Sequence, residues 1–153
     1  MTATLIDEQT VALDDELCLA LYLASRAMTA TYRPLLDELD LTYPQYLVLR
    51  SLWESEAEIG IGELGRRLHL ESNTLSPLVK RLEASGLVTR VRRQDDERAV
   101  TVVLTRSGRA MQKRAAQVPA EICRATGLDT ANRNRLVRKL HKLTDELEAQ
   151  SAG

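Results

Sequence analysis

The sequence predicts a mainly α fold carrying one small β-hairpin. Three observations lead there: apolar residues recur at helical spacing through most of the 153 residues, the pattern changes to short β-rich runs between residues 87 and 104, and Gly86 marks the change.

A first helix, beginning near Asp14 and running toward Pro34 or beyond, is indicated by Leu13, Leu17, Leu21 and Ala24 at helical spacing. Thr42 then precedes a second helix holding Tyr43, Tyr46, Leu47, Leu49, Leu52 and Trp53, with Pro44 tolerated in its first turn. Acidic and glycine residues from Glu54 to Gly60 break the pattern. A short helix with Leu64 and Leu68 follows, then a turn from His69 to Glu71. Ser72 is the expected N-cap of the next helix, whose buried positions Leu75, Leu78, Val79 and Leu82 follow the i, i+3, i+4, i+7 spacing of one face. Gly86 ends that helix as a C′ glycine. The hairpin strands are expected over Leu87 to Arg92 and Ala99 to Leu104, joined by the charged tip Arg93 to Arg98. Two helical segments finish the chain, one from Ser107 to Thr126 and one after Asp129 with Leu136, Leu140, Leu143 and Leu147 in one stripe.

A helix, a turn, a helix and a hairpin in series make a winged helix-turn-helix, expected over about residues 43–106. Helices over about 10–40 and 107–150 are expected to form a dimerisation region, all within one domain of residues 1–153. No apolar run is long enough to span a bilayer and no cationic, apolar leader is present, so a cytoplasmic protein is expected. In a reducing compartment the two cysteines, far apart in sequence, are expected to be thiols at rest. His69 and His141 sit apart with no ligand-spaced partner, which argues against a metal site.

Net charge of −1 hides a segregation. Residues 1–63 carry 3 Lys/Arg against 12 Asp/Glu, residues 64–109 carry 10 against 5, and residues 110–153 carry 8 against 5. The basic middle third coincides with the helix-turn-helix and hairpin, which points to double-stranded DNA as the partner. Ser72, Asn73, Thr74, Ser76, Pro77, Lys80 and Arg81 are expected on the reading helix, small polar groups first and cations later, suiting base edges and then phosphates. On the hairpin, Arg93 and Arg98 are the expected DNA contacts, with Asp96 or Glu97 bracing an arginine in the minor groove.

All four tyrosines, Tyr22, Tyr32, Tyr43 and Tyr46, fall in one stretch that opens with Cys18, while phenylalanine is absent. Phenol hydroxyls, together with the partial positive charge of a nearby helix N-terminus, favour a thiolate. On a helix, Tyr22 at i+4 shares the face of Cys18, and Tyr32 returns to nearly the same azimuth after a rise of about 21 Å. Tyr32 is therefore out of reach of its own Cys18 along a straight helix but within reach of a partner's Cys18 where equivalent helices run antiparallel across a two-fold axis.

The strings Ile61-Gly62-Glu63-Leu64-Gly65, Asn73 to Val88 and Asp96-Glu97-Arg98 resemble the MarR family of dimeric winged-helix repressors. Asp15 to Tyr22, Ser25-Arg26-Ala27, Tyr32 to Leu36 and Leu41 to Leu49 resemble its organic hydroperoxide resistance regulators, the OhrR group. That resemblance, which covers nearly the whole chain, implies a peroxide-sensing thiolate at Cys18, hydrogen-bonded by Tyr32 and Tyr43 of the other subunit; Tyr22, on the face of Cys18 by its spacing, is expected to help poise it. It also implies a resolving thiol at Cys123, by position in the two-cysteine branch. The expected function is a homodimeric repressor, not an enzyme and without a cofactor. An organic hydroperoxide oxidises Cys18, an intersubunit disulfide with Cys123 forms, and operator DNA is released. Two rivals stand beside it: a repressor that binds a small phenolic ligand in the dimer crevice, and a thiol peroxidase in which Cys18 turns over. The basic winged helix has no role in the second.

Overall fold

The computed structural model describes residues 12–56, 58–96 and 99–153, which fall into two compact units, one ending at Ala116 and one spanning Gln117–Gly153. In the first unit a 3-10 turn, Leu13–Asp15, leads into helix α1, Leu17–Asp37. The helix starts later than the apolar spacing indicates because Glu16, extended at its N-cap, separates it from that turn. Pro34 lies in its interior. Helix α2, Tyr43–Glu54, opens on a full capping box: the Thr42 hydroxyl accepts from the Gln45 N–H, and the Gln45 side chain accepts from the Thr42 N–H at 3.0 Å.

Sequence periodicity gives no sign of what comes next. Strand β1, Glu58–Gly60, lies where only a break was expected, and pairs antiparallel with β3, Val100–Leu104, placing Ile59 opposite Val102. The other neighbour of β3 is β2, Val88–Arg92, so the wing is a three-stranded sheet in the order β1-β3-β2 and not a hairpin alone. Three residues are too few to display alternation, and the pairing spans more than forty residues of chain, so only the fold supplies the partner.

Between β1 and β2 stand helices α3, Ile61–Leu68, and α4, Ser72–Ala84. The turn between them is tight. His69 adopts the left-handed conformation at φ 52°, and the Leu70 N–H returns to the Gly65 carbonyl at 2.9 Å. A β-carbon on residue 65 would sit 2.9 Å from the Leu70 carbonyl oxygen, which is why glycine stands there. The N-cap of α4 is Glu71, whose carbonyl receives the Thr74 and Leu75 N–H groups; Ser72, expected to cap, is the first helical residue and makes no side-chain cap. Leu75, Leu78, Val79 and Leu82 are buried as their spacing requires. They join Leu36, Val48, Leu49, Leu52, Leu64, Val88 and Val102 in the core of this unit, each full burial worth about 1.5–3 kcal/mol. Gly86 follows α4 at φ +75°.

The single helix expected over Ser107 to Thr126 is two: α5, Arg106–Arg114, and α6, Val118–Thr126. Pro119 is the reason. It has no N–H, its ring excludes the carbonyl four residues back at Ala115, and it disfavours helical geometry in the residue before it. In the second unit Gly127, at φ +65°, separates α6 from α7, Thr130–Ser151, which Asp129 caps by accepting from the Asn132 N–H at 2.8 Å. Leu136, Val137, Leu140 and Leu147 of α7 are exposed large apolar residues in the single chain. No helix among the described residues is long and apolar enough to cross a membrane.

Candidate functional site

Three of the four tyrosines meet. Tyr32, in the last third of α1, packs against Tyr43 in the first turn of α2 with ring centroids 4.7 Å apart, and against Tyr46 at 5.9 Å. Tyr46 in turn meets Trp53 edge-on at 6.2 Å, and the Trp53 indole N–H donates to the Gly108 carbonyl at 3.0 Å. Tyr32 and Tyr43 also wall a cavity of about 280 Å³, together with Leu36, Leu41, Pro44 and the Arg33 side. Burial pushes the Tyr43 hydroxyl above its ordinary phenol range. Burial does the same to Tyr46, against a smaller opposing pull from Arg50. Both therefore remain protonated, as hydrogen-bond donors, well past neutral pH.

Cys18 lies in the first turn of α1, exposed, fourteen residues before Tyr32 on the same helix. That separation is about 21 Å of rise, so the tyrosine cavity and the thiol of one chain do not meet along the helix. Tyr22, four residues from Cys18, is exposed, and the Arg26 guanidinium lies over its ring at 5.5 Å. Among the described residues no hydrogen bond reaches the Cys18 sulphur. Cys123 is different. It is half-buried in α6, and Arg133 of α7 donates from one guanidinium nitrogen to its sulphur at 3.2 Å. The other edge of that guanidinium faces the Asn134 side-chain oxygen at 3.3 and 3.4 Å. The two cysteines belong to different units. Nothing in the sequence pattern marks Arg133, which reaches Cys123 only because Gly127 turns the chain.

On α4, Ser72, Asn73, Thr74, Pro77, Lys80 and Arg81 are exposed on one side of the helix and Ser76 is half-buried. Pro77 stays inside the helix at the cost of one backbone donor. In the wing, Arg93 is exposed and pairs with Asp95 at 3.4 Å, Asp96 is exposed, and Glu97 and Arg98 lie outside the described residues. Three contacts that spacing alone does not reveal hold this surface in place. Glu83 of α4 clamps β2 by accepting from the Arg90 N–H at 3.1 Å and from Nε at 2.8 Å, and both bonds hold its carboxyl below the ordinary range. The Thr105 hydroxyl caps α5 by accepting from the Gly108 N–H and donates to the Gly86 carbonyl at 2.6 Å. Arg67 of α3 pairs with Glu54 and donates to the Ser55 hydroxyl at 3.1 Å, tying α3 to the end of α2.

Residues 30–115 match the family described as transcriptional regulator SarA/Rot. The chain is 45% identical over 140 residues to the HTH-type transcriptional regulator TtmR of Methylorubrum extorquens strain PA1, covering 92% of this chain and 71% of TtmR. It is 40% identical over 139 residues to the organic hydroperoxide resistance transcriptional regulator of Bacillus subtilis strain 168, covering 91% of this chain and 94% of that one. Among solved structures it is similar to reduced AbfR bound to DNA, with a TM-score of 0.74 and 36% identity over 88% of this chain and 93% of that one. AbfR, from Staphylococcus epidermidis, is also solved over-oxidised on DNA and in a disulfide-formed state.

Proposed function

Because the chain belongs to the MarR/SarA type of winged-helix transcriptional regulators, we propose that it is a homodimeric repressor released from operator DNA when an organic hydroperoxide oxidises Cys18. The observation that carries this reading is the tyrosine cavity: Tyr32 and Tyr43 present two phenols at one end of α1 while the thiol sits at the other. A second protomer running antiparallel would bring its Cys18 to these phenols, and the exposed apolar stripe of α7 offers surface for such a dimer. Tyr22, at i+4 from Cys18, borders the thiol from its own chain.

The chemistry follows. The Cys18 thiolate attacks the distal peroxide oxygen, a sulphur–oxygen bond forms as the oxygen–oxygen bond breaks, and the hydroperoxide leaves as its alcohol after taking up a proton. The sulfenic acid then yields to the Cys123 thiolate of the other subunit; a sulphur–sulphur bond forms and hydroxide departs as water. Linking α1 of one subunit to α6 of the other displaces the two α4 helices from each other, and the half-site spacing fails. In the reduced state Asn73, Thr74 and Ser76 meet base edges while Lys80, Arg81, Arg93 and Arg98 hold phosphates or the minor groove, with Ser72 at the helix start, Pro77 on the same exposed side and Asp96 bracing the wing.

Mixed dimers test the assignment across subunits. Pairing a Cys18→Ser subunit with a Tyr32→Phe subunit leaves one sensing thiol, in the Tyr32→Phe subunit, facing an intact Tyr32. Donation across the interface predicts oxidation at nearly the wild-type rate. Oxidation as slow as in the Tyr32→Phe homodimer shows the tyrosine acting within its own chain and removes the proposed interface.

A further inference from the structure

The cysteine assigned above as the resolving thiol is the one that a cation grips. Arg133 directs one N–H at the Cys123 sulphur from 3.2 Å, while its other edge faces Asn134, so the fork is held in orientation from two sides. Both Arg133 and Cys123 are half-buried, where such a bond is less screened than at an open surface. The neighbouring charges do not compete for it: Arg124 is paired with Glu121 in the same helix, and Asp129 is occupied by Asn132 at the start of α7. A guanidinium that donates to sulphur is complementary to the anionic form in which that sulphur attacks.

Resting on the reading of Cys123 as resolving thiol, we propose that Arg133 is the positioning residue for the second oxidation step. It holds the Cys123 sulphur in one place for attack, and releases it as the disulfide closes. In that step the Cys123–Cys18 sulphur bond forms, the sulphur–oxygen bond of the Cys18 sulfenic acid breaks, and hydroxide leaves to be protonated. Arg133 thereby sets the competition at oxidised Cys18 between capture by Cys123, which is reversible, and a second hydroperoxide molecule, which carries the sulphur on to sulfinic acid.

The test follows both steps separately in wild-type, Arg133→Gln and Arg133→Lys dimers treated with cumene hydroperoxide. A sulfenic-acid trap reads the first step and a nonreducing gel reads the second. Arg133→Gln is expected to leave the first step within about twofold of wild type while slowing disulfide closure about tenfold, the loss of one charge-assisted hydrogen bond. Sulfinic acid at Cys18, measured by mass, then rises with hydroperoxide excess. Arg133→Lys keeps a cationic donor and recovers most of the closure rate. Closure at the wild-type rate in Arg133→Gln overturns the proposal, as does an equal slowing in Gln and Lys variants of unchanged melting temperature, which marks a packing role. If wild type itself forms no Cys18–Cys123 disulfide, the resolving assignment fails and this proposal with it, an outcome visible before any variant is made.

Discussion

Replacing Gly108 by alanine plants a methyl group where the structure leaves no room. A β-carbon built there lies 2.1 Å from the Leu87 carbonyl oxygen, 3.1 Å from its carbonyl carbon and 2.9 Å from a Leu104 methyl carbon, whereas ordinary contact begins at 3.4 Å. Two of the three obstacles are backbone, so α5 and the Gly86–Leu87 corner must part by more than an ångström. Parting strains the bonds that cross this corner: Thr105 N–H to the Leu87 carbonyl at 3.1 Å, the Thr105 hydroxyl to Gly86 at 2.6 Å and the Trp53 indole to Gly108 at 3.0 Å. Helix propensity works the other way, favouring alanine by about 0.8–1 kcal/mol. Overpacking costs about 1–3 kcal/mol and each of the three weakened hydrogen bonds about 0.5–1.5 kcal/mol, so the clash wins by roughly 1.5–7 kcal/mol. For a chain of this size that is a fall in melting temperature of roughly 3–28 °C. The assay is thermal unfolding at fixed protein concentration, followed by Trp53 fluorescence and circular dichroism, beside a DNA mobility shift, because the displaced corner joins α4 to the wing. Gly62→Ala, whose new carbon would meet nothing nearer than Arg66 at 3.7 Å, is the control that should lose nothing. A Gly108→Ala protein that melts with wild type and binds DNA with unchanged affinity refutes the steric reasoning.

Three further outcomes are expected. Affinity for a duplex selected by the reduced protein should fall steeply with added salt, and Lys80→Ala should lower the logarithmic salt slope by about 1 for the phosphate contact it removes; an unchanged slope takes Lys80 out of the interface. Glu83→Gln should weaken the clamp on Arg90, which is read as a lower melting temperature and weaker DNA binding. Since the folded state depresses the Glu83 carboxyl below its ordinary 4.5, the wild-type advantage should be whole above that pH and vanish as pH falls through the lower folded value. An advantage that persists undiminished in strong acid contradicts the pairing. Tyr43→Phe should slow Cys18 oxidation while sparing DNA binding, measured by thiol loss against time; wild-type oxidation kinetics would exclude its hydroxyl from the site.

Much of the fold was legible because its signals are local. The spacing of Leu75, Leu78, Val79 and Leu82 fixes the buried face of α4, Thr42 stands before α2 as its cap, and Gly86 stops α4 where a positive φ is needed. Strand β1 was not legible, since Ile59 is its one apolar residue and its partner β3 comes more than forty residues later. Pro119 did carry the break between α5 and α6, but a long run of helix-forming residues on either side masks it. Ser72 was misplaced by one position because a preferred capping residue is a tendency and Glu71 supplies the extended backbone instead. The candidate site divides in the same way. Clustering of the tyrosines around Cys18 is visible in the chain, whereas Glu83 on Arg90, Arg67 on Glu54 and Arg133 on Cys123 each join different elements, and only packing reveals them.

The central claim is that one thiol switches DNA binding, and the direct measurement is a mobility shift and a nonreducing gel run on the same hydroperoxide-treated sample, for wild type and Cys18→Ser. Serine keeps the size and polarity of the side chain but supplies no thiolate, so the variant should hold the selected duplex and ignore the hydroperoxide. Wild type should lose the duplex in step with a reducible covalent dimer, and regain it on reduction. Release of DNA from Cys18→Ser by hydroperoxide, or a fully oxidised wild type that stays bound, contradicts the claim.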